Sequence, residues 1–230
     1  MTRFVIATKN NGKIAEARDI FAEAGIEMLT PNDVGCVDEG PEETGQTFAE
    51  NAKLKTLHYF EQINRSGVFM HCDAVRERGE APEKGKPRFG FAIIAEDSGL
   101  EIDALGGRPG LHSARFMGNA ASDKKNEAIL KMMEGVPIDG RTARFACAAC
   151  AAIGPADGTP VFFCAEESLD GVVSEKPFGS DGFGYDPIFL LPQMGLTMAQ
   201  LSEREKNKIS HRGIAFRALI EKLRQAGVIN

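Results

Sequence analysis

The sequence predicts a mixed α/β fold, built as one domain over residues 1–230, and three observations carry that prediction. Short β-type apolar runs alternate with segments whose apolar residues recur at helical spacing. No internal repeat and no clean linker divides the chain. Hydrophobic residues make up 43% and charged residues 26%, the ordinary balance of a water-soluble globular protein.

In chain order, Phe4–Ala7 is a short β-type run and Thr8–Lys13 is turn chemistry. Ile14, Ala17, Phe21 and Ala24 then keep helical spacing until Gly25 stops the helix. A second helix is predicted over Thr47–Ile63, with Phe48, Ala52, Leu57 and Phe60 on its inner side and Glu50, Asn51, Lys53 and Lys55 between them. Residues 64–90 mix Arg, Lys, Asp and Glu with Gly and Pro and read as an insertion, mobile in part. Phe91–Ala95 is a strand that ends in Glu96-Asp97-Ser98-Gly99, with a continuation over residues 100–104 after a bend. A helix at 123–134, strands at 142–153 and 160–167, a Gly-rich loop and a capping box at Ser202–Glu205 follow. The last helix runs from His211 to Gln225, with Phe216, Leu219, Ile220 and Leu223 facing inward.

A formal net charge of −6 argues against a partner of nucleic-acid polymer type, which calls for a basic face. A local Lys/Arg cluster can still hold a small polyphosphate. Phe4–Ala7 is too short for a signal-peptide core, and the longest apolar run, 145–153, is far below membrane-spanning length, so no membrane role and a cytoplasmic location are expected. The five cysteines form no framework, and their odd number fits a reducing compartment. Cys147 and Cys150 make a CxxC, but in a buried strand positions i and i+3 point to opposite faces, so the pair reads as core.

Four segments could carry chemistry. Thr8, Lys9, Asn10, Asn11, Gly12 and Lys13 follow a strand and open a helix, where free amides and two lysines suit a triphosphate; the alternative is a plain polar turn, since Ile14 stands where a Walker motif needs Ser or Thr. Glu96-Asp97 needs a cation or metal if buried, and Glu42-Glu43 could complete a hard-oxygen site of the Mg²⁺ type; the alternative is a solvated strand end. Ser180–Pro187 offers backbone N–H groups beside Phe183 and Tyr185, suited to a flat heterocycle with carbonyl edges. His211 and Arg212 at a helix start oppose the dipole, a choice easier to understand if an anion binds there.

These segments together resemble the inosine triphosphate pyrophosphatase, or HAM1-like, family. The matching residues are Ala7–Lys13, Glu42–Gly45, Phe48–Lys55, Glu96–Leu100, Leu105–Gly110, Ser113–Arg115, Gly182–Pro187 and Glu205-Lys206 through Ser210–Gly213, in consistent order from residue 4 to the last helix. The resemblance implies an elongated α/β fold with a long mixed central sheet and a cleft between two lobes, a homodimer, and Mg²⁺-dependent hydrolysis of ITP, dITP and XTP to monophosphate and pyrophosphate. It implies that Thr8–Lys13 and Lys55 hold the triphosphate, and that Asp97 is proton acceptor and metal ligand with Glu42 or Glu43 assisting. Ser98, Phe183, Gly184, Tyr185, Asp186, Lys206, His211 and Arg212 would contact the substrate. Glu96 stands where bacterial members often carry Asp, and residues 64–90 exceed the family's usual connection. A Maf-like pyrophosphatase of pyrimidine or modified nucleotides is the neighbouring reading; a catalytically silent nucleotide binder is the distant one.

Overall fold

The computed structural model describes residues 2–36, 39–66, 91–154 and 158–229. Most of the insertion expected at 64–90 lies outside them. Its first residues, 64–66, continue the second helix.

Strand β1 (Thr2–Ile6) leads through a four-residue connection, Ala7–Asn10, into helix α1 (Asn11–Ala22), and β2 (Ile26–Leu29) returns beside β1. Helix α2 (Phe48–Ser66) precedes β3 (Phe91–Ile102), then come β4 (Arg108–Pro109) and α3 (Ser122–Met132). The long strands β5 (Thr142–Gly154) and β6 (Val161–Val173) are followed by β7 (Phe189–Leu191), β8 (Leu196–Thr197), α4 (Glu203–Ile209) and α5 (His211–Gln225).

Among the described residues the strands form one eight-stranded sheet in the order β2-β1-β3-β5-β6-β7-β8, with β4 beside β3. β1 runs parallel to β2 and β3, in register Val5↔Ile93 and Ile6↔Ile94, while β3/β4, β6/β7 and β7/β8 are antiparallel. The long mixed sheet expected of the fold is therefore present. β3 does not end at the acidic pair; it passes through Glu96 and Asp97 to Ile102.

The chain forms two compact units, each discontinuous in sequence. The first comprises Met1–Asp97, Ala148–Ala165 and Phe216–Asn230, and the second Ser98–Cys147 and Glu166–Ala215. In the first unit, Val5, Ile93, Ala95, Tyr59, Phe60 and Ile63 form one cluster, and Phe21 meets Phe216 edge-on at 5.2 Å. In the second, Leu100, Ile102, Ile129, Phe145, Tyr185, Ile188 and Phe189 pack together.

Cys150 and Cys164, on neighbouring strands of the first unit, form a disulfide, which corrects the expectation of an unpaired cysteine set. The strand pairing brings two residues 14 apart in sequence to a Cα separation of 4.2 Å, a juxtaposition that cysteine spacing alone does not encode. Cys147 is buried and outside any disulfide, so the CxxC pair does not act as a unit.

Candidate active site

In the first unit the site begins where β1 stops. β3 continues beyond its parallel partner, so Glu96 and Asp97 lie just past the carboxyl end of β1, where the chain turns into α1. Open parallel sheets bind ligands at such ends. The turn is fixed by its own side chains: Thr8 Oγ1 accepts from Asn10 N at 3.2 Å, and Asn10 Oδ1 accepts from Lys13 N at 3.1 Å as the N-cap of α1. Lys9, Asn10 and Asn11 are exposed there, with Thr8 and Gly12 half-buried.

Adjacent strand residues face opposite ways, and the two acids are met from different helices. Glu96, 2% exposed, pairs with Lys13 of α1. Asp97, 6% exposed, faces α2: its Oδ1 accepts from Lys55 Nζ at 3.3 Å and its Oδ2 from Asn51 Nδ2 at 3.0 Å. Asn51 and Lys55 share a face of α2 because they lie one helical turn apart. Lys55 Nζ also donates to Glu43 Oε1 at 2.9 Å, so one ammonium joins two carboxylates. Of the tandem Glu42-Glu43, only Glu43 is brought in, and Glu42 is exposed.

Burial pushes the Asp97 carboxyl above the ordinary carboxylate range; Lys55 opposes this, and the Glu43 and Glu96 charges add to it. Burial alone would lower the Lys55 ammonium, but Asp97, Glu96 and Glu43 outweigh it and hold Lys55 above its usual range. Asp97 is thus a carboxylate of enhanced basicity beside a cation that stays charged.

In the second unit, the loop before β7 is organised by Asp186. Its Oδ2 accepts from Phe183 N at 2.8 Å and from Lys206 Nζ at 2.6 Å, with both acid and ammonium side chains only 5% exposed. Gly182, at φ +74°, leaves the space this carboxylate occupies, since a Cβ there would collide with Asp186 Oδ2. Lys206 Nζ lies 4.3 Å from the centre of the Phe183 ring and Arg212 Cζ 5.3 Å from it, and Arg212 Nη2 donates to Ser98 Oγ at 3.0 Å. Ser210 Oγ accepts from Gly213 N at 3.0 Å and caps α5, setting His211 and Arg212 at its first turn; His211 stacks on Phe145 at 4.7 Å. Phe183 is half-buried. Tyr185, expected at the substrate, is instead a core residue: it is 6% exposed, its hydroxyl donates to Ser113 O at 2.9 Å, and burial pushes its pKa up to about 12. Gly184 is tied back by Asn126 Nδ2, which donates to its carbonyl at 3.1 Å. A cavity of about 910 Å³ between α3 and residues 175–187 borders Phe183 but none of Ser98, Lys206, His211 or Arg212, so its lining does not define the site.

Sequence reasoning assigned no role to Asn51 or Asn126. Asn51 was within reach of it, four residues before Lys55 on one helix face; Asn126 carried no local signal. Among the described residues no three His, Cys, Asp or Glu side chains converge as a metal-holding group. The donors that do converge, Glu43 and Asp97, are hard oxygens already sharing one cation, a set that fits a divalent ion of the Mg²⁺ kind.

The first unit thus carries a capped βα turn beside two buried acids, and the second a cation-flanked aromatic loop, on an α/β fold. The Ham1 family model matches residues 4–222, and the chain belongs to that family. It is 44% identical over 224 residues to a dITP/XTP pyrophosphatase of Geobacillus kaustophilus, covering 96% of this chain and 94% of that one. It is 37% identical over 227 residues to a dITP/XTP pyrophosphatase of Yersinia pseudotuberculosis, covering 98% and 100%. A HAM1 protein of Coxiella burnetii has the same fold, with TM-score 0.73 and 31% identity over 98% of this chain and 100% of that chain.

Proposed function

We propose that this chain hydrolyses nonstandard purine nucleoside triphosphates (ITP, dITP and XTP) to the monophosphate and pyrophosphate, with Mg²⁺, as a cytoplasmic homodimer. The observation that carries the reading is the arrangement around Asp97: a buried carboxylate with one oxygen on Asn51 and the other on the ammonium it shares with Glu43. Phosphoanhydride hydrolysis needs charge neutralisation and a positioned water rather than a covalent nucleophile, and this site has the means for both. The names of the Geobacillus and Yersinia relatives point to the same reaction.

Asp97 takes the proton of the attacking water, its two oxygens held by Asn51 and Lys55. Glu43 and Asp97 would hold Mg²⁺, which when bound neutralises phosphate charge and acidifies a bound water. Lys13 and the first amides of α1, beyond the Asn10 cap, take the phosphates, and Lys55 is the further cation at that end. In the second unit Phe183 stacks on the base and Arg212 addresses its edge, while Asp186 and Lys206 hold the loop. Among the described residues no helix is long and apolar enough to cross a membrane. The cytoplasmic placement rests on the sequence, and the Cys150–Cys164 disulfide stands against it.

The test is pyrophosphate release from ITP, XTP, dUTP, GTP and ATP with and without Mg²⁺. Preference for ITP and XTP with Mg²⁺ is expected. A preference for dUTP would move the chain to the Maf-like reading, and no release from any would remove the enzymatic one. Light scattering of the purified chain at twice the 24.8 kDa monomer mass is expected for the homodimer.

A further inference from the structure

The Asn51 side chain hydrogen-bonds both to the Asp97 carboxylate and to the backbone of the Glu42–Gly45 segment. It is 1% exposed, in the first turns of α2. Its Oδ1 accepts from Gly45 N at 2.8 Å and its Nδ2 donates to Asp97 Oδ2 at 3.0 Å. The orientation of the amide follows from chemistry: a backbone N–H only donates and an ionised carboxylate only accepts, so the flipped amide would face like against like at both ends. The approach at Gly45 is close enough to require glycine, since a Cβ there would lie 2.6 Å from Asn51 Oδ1 and 2.7 Å from Glu50 Cβ. Two residues before Gly45, Glu43 reaches Lys55 at 2.9 Å, and Lys55 reaches the other oxygen of Asp97 at 3.3 Å. The contacts close a ring: Asn51 to Gly45, along the backbone to Glu43, through Lys55 to Asp97, and back to Asn51.

We propose that Asn51 is a positioning residue whose amide fixes the Asp97 carboxylate and the backbone at Gly45 together, so that Glu43 and Asp97 present oxygens to the same cation. The inference rests on the proposed function for its kinetic consequence, but its geometric content is independent of substrate. Without the amide, Asp97 can turn about its last bond and the Glu43 segment loses its tether, and the two carboxylates no longer converge. Hydrogen bonds of this supporting kind are worth 10–100-fold in metal affinity or activity where they orient a ligand.

Two variants separate the ends of the amide. Asn51→Asp keeps an acceptor for Gly45 N but sets a carboxylate against Asp97. Gly45→Ala leaves the Asp97 contact and obstructs the other. A third, Asn51→Leu, keeps the volume and removes both. The first readout needs neither metal nor nucleotide: the rate at which Lys55 is acylated by an activated ester, followed by peptide mass spectrometry with circular dichroism to confirm folding. Lys55 should react several-fold faster in Asn51→Leu and in Gly45→Ala than in the wild type, because its two carboxylates no longer clamp it. The second readout is kinetic, with ITP: kcat should fall about 10–100-fold while the affinity for a non-hydrolysable ITP analogue stays within about threefold. Unchanged Lys55 labelling in folded Asn51→Leu and Gly45→Ala overturns the proposal. So does a kcat within about threefold of wild type in all three variants, or a loss of analogue binding in proportion to kcat. Should the wild type prove inactive on ITP, the proposed function fails, and the Lys55 labelling still decides the role of Asn51.

Discussion

The Asp186–Lys206 pair gives the sharpest test of how the second unit holds its aromatic loop. Both side chains are 5% exposed, and the same carboxylate oxygen that takes the ammonium at 2.6 Å takes Phe183 N at 2.8 Å. Lys206→Met leaves that carboxylate buried without its cation, a change that costs about 3–5 kcal/mol. For a chain of 230 residues, about 2–4 °C of Tm accompanies each kcal/mol, so a fall of roughly 6–20 °C is expected. Asp186→Leu takes the carboxylate away from the ammonium and the Phe183 N–H and should be comparably damaging. The double variant removes both charges at once, and apolar replacement of a buried pair is often neutral, so it should melt well above either single variant. The ammonium also lies over the Phe183 ring at 4.3 Å, a contact of about 0.5–2 kcal/mol. The double variant should therefore recover stability without recovering purine affinity. Thermal unfolding followed by circular dichroism, with ITP titration of the three variants, reads both effects. A Tm loss under about 2 °C for Lys206→Met, or a double variant destabilised by the sum of the singles, refutes the pair as the support of the loop.

How much of this could be read in the sequence depends on whether the signal was local. Helices α1, α2 and α5 show in their periodicity, and the Ser202 cap in its residue types, because a cap satisfies amides within its own turn. Strands of two to four residues, such as β2, β4, β7 and β8, have too little pattern to register. Two acids after an apolar run look like the solvent-facing end of a strand, yet β3 continues through Glu96 and Asp97 because Lys13 and Lys55 neutralise them from two different helices. That Glu43 and not Glu42 reaches Lys55 is likewise not readable from residue type. Phe183 and Tyr185 are equivalent in the sequence as base-stacking candidates. The carbonyl of Ser113, 72 residues away, separates them by taking the Tyr185 hydroxyl into the core.

Further expectations concern individual residues, ending with the base. Asp97→Asn should lower kcat by 10²–10⁴-fold or more while sparing analogue binding; retention of more than about a tenth of wild-type kcat would deny Asp97 the role of base. Tyr185→Phe should leave kcat/KM for ITP within about twofold but lower stability by about 1–3 kcal/mol through the stranded Ser113 carbonyl, and a large kinetic loss at unchanged stability would return Tyr185 to the substrate. The peptides holding Cys150 and Cys164 should resist iodoacetamide until reduced, and reduction of a link closing 14 residues should lower Tm by roughly 6–12 °C; labelling before reduction would remove the disulfide. For base choice, a 6-oxo purine presents an acceptor at O6 and a protonated N1, whereas adenine presents an amino donor and a bare N1. Arg212, 2% exposed and hydrogen-bonded to Ser98, is a buried donor set that an oxo group satisfies and an amino group opposes. A buried donor left facing a donor costs several kcal/mol, so kcat/KM for ITP and XTP should exceed that for ATP by at least about a hundredfold. Phe183 contributes a face that every purine can use, so Phe183→Ala should weaken ITP and ATP alike, whereas Arg212→Ala should narrow the gap between them. Comparable wild-type rates on ATP and ITP would show that the edge of the base is not read here, and the assignment of Arg212 would fall with it.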